Sequence, residues 1–221
     1  MAFSVRQGTL SAPKSVRSTM NYAIQFEALL SANLVVTPRK KVIKHSLIRV
    51  MSGLVLCKLG KHEYSVEAKQ SFWIPFDCLC SLTIFPNTQW QRVDFSVRLT
   101  ADFSHQAGYV TLSELSQAAC DHLSQCQPND EIYSHLLHVL KSEATHFKPK
   151  LSLNNFSEKL SAWQPHQVSE LPIECQIALR VREAQKRKLS GIKLNQIVDE
   201  LFQGNEQECQ QLALLVLGRN L

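Results

Sequence analysis

The chain lacks any long apolar run. Nothing in its 221 residues approaches the ~18 consecutive apolar side chains that a membrane helix requires. Glycine is scarce, at seven residues, and none stands in a Gly-rich loop of the kind that cradles phosphate. G-x-S-x-G and H-E-x-x-H are missing too, so neither a hydrolase elbow nor a zincin helix is written here. Acid is nearly absent from the first 50 residues, where Glu27 is the one carboxylate against eight Lys and Arg. No positively charged stretch leads into an apolar one at the start, which argues against a secretory signal. The seven cysteines, an odd number, are spread from Cys57 to Cys209. They suit free thiols in a reducing compartment better than a disulfide framework, so a cytoplasmic location is expected.

What is present is ordinary globular material. Hydrophobic residues make up 44% and charged residues 19%, which excludes wholesale disorder. The length allows one large domain or two small ones, with a core that needs no staples. The net charge of +5 is uneven. Residues 51–170 hold nine bases against twelve acids, and residues 171–221 hold seven against six. The basic character therefore sits near the ends, where it can serve nucleic acid, an acidic partner or solvation alone.

Residues 1–20, rich in Ser, Thr and Arg, read as a flexible arm. Tyr22, Ile24 and Phe26 alternate with polar neighbours and suggest a strand. Arg39, Lys40 and Lys41 follow Pro38 and read as a basic loop. Short strands with turn signals then succeed one another: Leu47 to Met51, Leu54 to Leu59, Tyr64 with Val66, Phe72 to Ile74, Leu82 to Phe85, and Trp90 to Val97. In the last, Val93, Phe95 and Val97 share a face. Strands of this length at this spacing indicate a sandwich or barrel.

After Leu99 the apolar period changes from two to about 3.6. Leu112, Leu115, Ala119 and Leu123 share a helical face, with Thr111 or Ser113 as cap. Ile132, Leu136, Leu137, Val139 and Leu140 mark a second helix after Asn129–Asp130. Phe156, Leu160 and Trp163 mark a short third. Further helices are expected at about 174–189, 193–203 and 206–217. Gly204 is the expected C-cap of the middle one, and Asn205 with Glu208 the capping box of the last.

The run Arg49–Val50–Met51–Ser52–Gly53–Leu54–Val55–Leu56, then Gly60, Tyr64 and Phe72–Trp73–Ile74–Pro75, resembles the N-terminal cupin domain of AraC-type transcriptional regulators. The resemblance covers roughly residues 40–125 and implies a barrel that holds a small effector, followed by helices that dimerise. Metal-binding cupins carry His-x-His plus a later His. Here His45 stands alone, Leu47 occupies the second place, and Cys80 stands where a later His often falls. No metal or other cofactor is expected, and no enzymatic activity. The family's C-terminal domain has two helix-turn-helix units, whereas only 71 residues follow Lys150. Leu194 to Leu201 resembles the first helix of such a unit. Residues 205–217 contain two acids and no Lys or Arg, which phosphate would repel.

Three residues are candidates to line a ligand pocket: His45, Trp73 and Trp90, since aromatic and imidazole groups suit a small polar ligand with an apolar face. Core packing is the alternative role. Arg180, Arg182, Lys186, Arg187, Lys188 and Lys193, against Glu183 alone, form the candidate phosphate-contacting surface, with a solvated face as the alternative. Glu131, His135 and His138 share a helical face at metal-ligand spacing, although the stripe reads better as solvent-facing. Cys78 and Cys80 form a C-x-C that reads as small buried hydrophobes.

The expected fold is α+β: a cupin-like β-barrel of the jelly-roll type over 21–105, dimerisation helices and linker over 106–165, and a C-terminal helical region of degenerate helix-turn-helix character over 166–221. The expected function is an AraC-like regulator sensing a small effector, with DNA and a second copy as partners and no membrane. The alternative is a stand-alone cupin module without DNA binding. The discriminator is whether the 180–193 face is exposed or buried.

Overall fold

The computed structural model describes residues 23–221, so the 1–20 arm and Tyr22 lie outside the described residues. The strands are β1 (Ile24–Ser31), β2 (Val35–Val36), β3 (Lys40–Lys41), β4 (Lys44–Ser52), β5 (Leu54–Leu59), β6 (His62–Glu67), β7 (Ser71–Ile74), β8 (Leu79–Ile84), β9 (Thr88–Ser96) and β10 (Gly108–Tyr109). The helices are α1 (Glu114–Leu123), α2 (Glu131–Ala144), α3 (Asn155–Ala162), α4 (Ile173–Leu189), α5 (Leu194–Phe202) and α6 (Glu206–Leu217). The fold is mixed, with every strand pairing antiparallel.

The strands form two sheets, ordered β1-β9-β4-β7-β10 and β2-β8-β5-β6, with β3 added to β8. No ladder joins one sheet to the other among the described residues, so the expected closed barrel is an open two-sheet sandwich. Period-two alternation explains its interior. Ile48, Val50, Phe72 and Ile74 point inward from the first sheet and meet Val55, Cys57, Tyr64, Val66, Leu82 and Ile84 from the second. The Ser52–Gly53 turn behaves as its residues require. Gly53 has φ +86°, and a Cβ there would stand 2.4 Å from Thr88 Oγ1.

Each outer sheet face is covered by helices. Leu47, Trp73, Val93 and Phe95 pack against Ala119, Cys120, Leu123, Leu137, Leu140 and Ala144 of α1 and α2. Leu54, Leu56 and Phe85 pack against Leu160 of α3, Leu179 and Val181 of α4, and Ala213 and Val216 of α6. The layers therefore run helices, sheet, sheet, helices. The helical leucines expected to form a dimer seam are mostly used inside the chain: Leu112, Leu123 and Leu140 are buried, while Leu115 and Ile132 stay exposed.

Three elements differ from the sequence reading. Lys40–Lys41, expected in a loop, pairs with Cys80 and Leu79. β2 and β10 are two-residue strands whose length carries no alternation. At Gly108, φ is 152° and a Cβ would meet the Lys150 carbonyl carbon at 2.5 Å, so this glycine permits the close bridge between Tyr109 and Lys150. The caps follow the sequence more closely. Ser113 accepts from the Ser116 amide, and Asn205 accepts from the Glu208 amide. The Glu208 carboxylate does not complete the box, because it lies 3.5 Å from Arg180.

Candidate functional site

The three candidate pocket residues do not converge. On β4, His45, Leu47 and Arg49 face outward while Ser46, Ile48 and Val50 face the sandwich interior, as the core clusters separate them. His45 lies against Trp73, with ring centroids 5.6 Å apart at 21°, and Phe103 sits 5.1 Å away. Its Nδ1 accepts from the Phe76 amide at 3.2 Å. Burial, with a smaller contribution from His105, holds the imidazole below its usual range. Trp73 is fully buried under α1 and α2, and its indole N–H donates to the Ser104 carbonyl at 2.9 Å. Trp90 lies on the opposite face of the sheet, inside the sandwich, and donates to Ser31 Oγ at 3.1 Å.

A cavity of about 450 Å³ opens at the other end of the interior. Its floor is Ile48, Ile74, Leu82 and Cys80, and its head is a polar triad that the sequence reading missed. Ser46 Oγ–H donates to Asp94 Oδ1 at 2.6 Å. Arg92 Nε donates to the same oxygen at 2.7 Å, and Arg92 Nη2 donates to Ser46 Oγ at 3.2 Å. The signal existed. Val93 and Phe95 claim one face of β9, so Arg92 and Asp94 must occupy the other, toward the interior.

The mouth is basic. Lys40, Lys41 and Lys44 rim it, with Lys41 paired to Asp77 at 2.9 Å and Lys44 donating to Gln25 at 3.3 Å. The thiols are passive. Cys80 is pushed up to about 12, chiefly by its hydrogen bond with Cys57 and also by burial. Cys78 is pushed up by its hydrogen bond with Cys80. Both stay protonated at neutral pH, so neither is a nucleophile, and Cys80 alone of the two lines the cavity. The other metal candidates stand in solvent: Glu131 and His135 are 3.9 Å apart and highly exposed. No group of three His, Cys, Asp or Glu among the described residues is placed to hold a metal ion.

The basic residues of α4 are largely paired within the chain. Arg182 makes a bidentate contact to Glu63, at 2.9 and 3.1 Å, and also donates to Thr83. Arg180 faces Glu208. Arg187 bonds Glu183 and Glu200, and Lys186 bonds Glu183. Lys188 and Lys193 are exposed, without an ion pair to any described residue. α4, α5 and α6 pack on one another, and Gln203 and Gly204, both at positive φ, make a sharp turn from α5 into α6. α5 and α6 are thus two packed helices joined by a short turn. The second helix shows Glu206, Gln207, Gln211, Leu214 and Leu215 outward.

No family model and no curated protein sequence matches the chain. Among solved structures, a cupin superfamily protein from Desulfitobacterium hafniense is similar at 6% identity over 35% of this chain and 71% of that one, with a TM-score of 0.31. A Cupin 2 conserved barrel domain protein from Salinispora arenicola is similar at 13% identity over 39% and 71%, with a TM-score of 0.30. Apo ToxT from Vibrio cholerae is similar at 8% identity over 90% of this chain and 96% of that one, with a TM-score of 0.42. Likenesses this weak leave function to be read from the chain itself. No helix among the described residues is long and apolar enough to cross a membrane.

Proposed function

We propose that the protein is a non-enzymatic, cytoplasmic sensor of AraC-like build, in which the sandwich mouth takes a small polar effector and α4–α6 carry the response. The observation that supports this reading most is the Ser46–Arg92–Asp94 triad at the head of an apolar-floored cavity. Asp94 holds the guanidinium in place while about a third of the Arg92 side chain stays open. A donor fixed in advance loses little freedom when it meets a carbonyl, carboxylate or hydroxyl oxygen. Such a group binds and orients without supplying a nucleophile.

The route to the helices is short. Leu82 lines the cavity, and its neighbour Thr83 faces the opposite side of β8, where Arg182 of α4 donates to it. An effector that displaces Leu82 therefore strains the contact that seats α4. For the output, the α5–turn–α6 connectivity favours DNA, with Lys188 and Lys193 as the cations left to meet phosphate. A protein partner is the second reading, favoured by exposed Leu214 and Leu215 on α6 and by the pairing of the α4 arginines. A homodimer would form through the exposed Leu115 and Ile132.

The test is gel-shift binding of the purified protein to its own upstream DNA across a salt series. Regulation through DNA predicts a linear log–log salt slope that flattens by about 1.8 in Lys188→Glu/Lys193→Glu, at about 0.9 for each lost phosphate contact. Absence of salt-dependent binding even at low ionic strength would assign α4–α6 to a protein partner instead.

A further inference from the structure

A second cleft, of about 780 Å³, lies away from the mouth, between the β4–β7–β10 edge, α1 and the 150–154 segment. Its size falls in the range of small-molecule sites. Its lining carries three cations, Arg49, Lys69 and Lys150, and no carboxylate. Arg49 is neutralised by Asp121 at 2.5 Å, but neither lysine ammonium has a partner among the described residues. The hydroxyls of Ser71, Thr111 and Ser152 also line the cleft without a hydrogen bond to another described residue. Ordinary surface lysines scatter, whereas these two stand with unpaired donors around one concavity.

The walls are built rather than incidental. Gly108 admits the Lys150 backbone so closely that any Cβ would clash, and Tyr109 and Lys150 exchange both backbone hydrogen bonds, at 2.9 and 3.0 Å. Lys69 holds φ +69°, a conformation that favours Gly or Asn, while its amide donates to the Val50 carbonyl at 2.8 Å. On the far side, Arg49 is fixed by Gln91, the Gln117 carbonyl and Asp121 together.

We propose that this cleft binds a small hydroxylated organic dianion, of which a sugar phosphate is the simplest example. The two free ammonium groups match two negative charges, and the unpaired hydroxyls match a polyol body. The site is separate from the effector mouth and does not depend on the reading given to that mouth.

The test is calorimetry on the full chain with glucose phosphate, ribose phosphate and malate, and with ribose and inorganic phosphate as controls. At least one dianion should bind, at least tenfold more weakly in Lys69→Met/Lys150→Met and unchanged in Lys61→Met, an exposed lysine outside both the cleft and the mouth. Both lysines are exposed, so the double variant keeps the fold, and an unchanged melting temperature checks this. The proposal is overturned if none of the three dianions binds in the millimolar range, if the double variant binds them as well as wild type, or if Lys61→Met weakens binding as much as the double variant does. Ribose bound equally well overturns the dianion assignment, and inorganic phosphate bound equally well overturns the organic one.

Discussion

Each flank of the sandwich, besides its apolar contacts, has one arginine ion pair between sheet and helix, and the two are built with opposite polarity. On the first flank the arginine belongs to the sheet: Arg49 on β4 reaches out to Asp121 of α1, whose carboxylate side chain is 49% exposed. On the second flank the acid belongs to the sheet: Glu63 on β6, 9% exposed, receives Arg182 from α4. The burial of the acid decides what each contact does. If α1 shifts, Asp121 is already half in water, and Arg49 keeps Gln91 on β9. If α4 shifts, Glu63 is left charged against the sheet without its partner. A buried charge stripped of its partner is costly. The first clamp is therefore adjustable and the second is a lock.

That contrast can be broken by substitution. Arg182→Met should cost about 3 kcal/mol in chemical denaturation, because Glu63, 9% exposed, is left charged without its partner. Arg49→Met should cost about 1 kcal/mol or less from the ion pair, since the Asp121 carboxylate it leaves behind is already 49% exposed. Equal costs would erase the distinction between the flanks.

A smaller effect should confine itself to the first flank. The folded His45 pKa lies below the ordinary value near 6.5. The unfolded chain therefore takes up this proton first as pH falls. The stability His45 contributes is full above about 6.5 and is lost as pH drops through the lower folded value. Melting temperatures measured from about pH 7.5 down to about 5.5 should fall more in wild type than in His45→Asn, which can still accept from the Phe76 amide. Parallel curves would remove His45 from the acid response.

Much of the layout was legible. Alternation placed the long strands, and the Asn205 cap fixed the start of α6 because a side-chain acceptor there satisfies an orphan amide. Face parity was also written in β9, yet aromatic character drew the choice to Trp73 and Trp90, which pack instead on opposite sides of one sheet. The clamps were not legible. Arg49 and Asp121 are 72 positions apart, and Arg182 and Glu63 are 119 apart. No local period reports a contact at that separation. The same distance hid the second cleft, whose two lysines come from a β-turn and from a segment after α2 that only the fold brings together.

The central claim is that α4–α6 form a unit locked to the sandwich through Glu63 and so releasable apart from α1 and α2. Native-state amide hydrogen exchange on Glu63→Gln tests it most directly. The account predicts exchange at least tenfold faster across α4–α6, with α1, α2 and the first sheet unchanged. Equal acceleration on both flanks, or none on either, would contradict it.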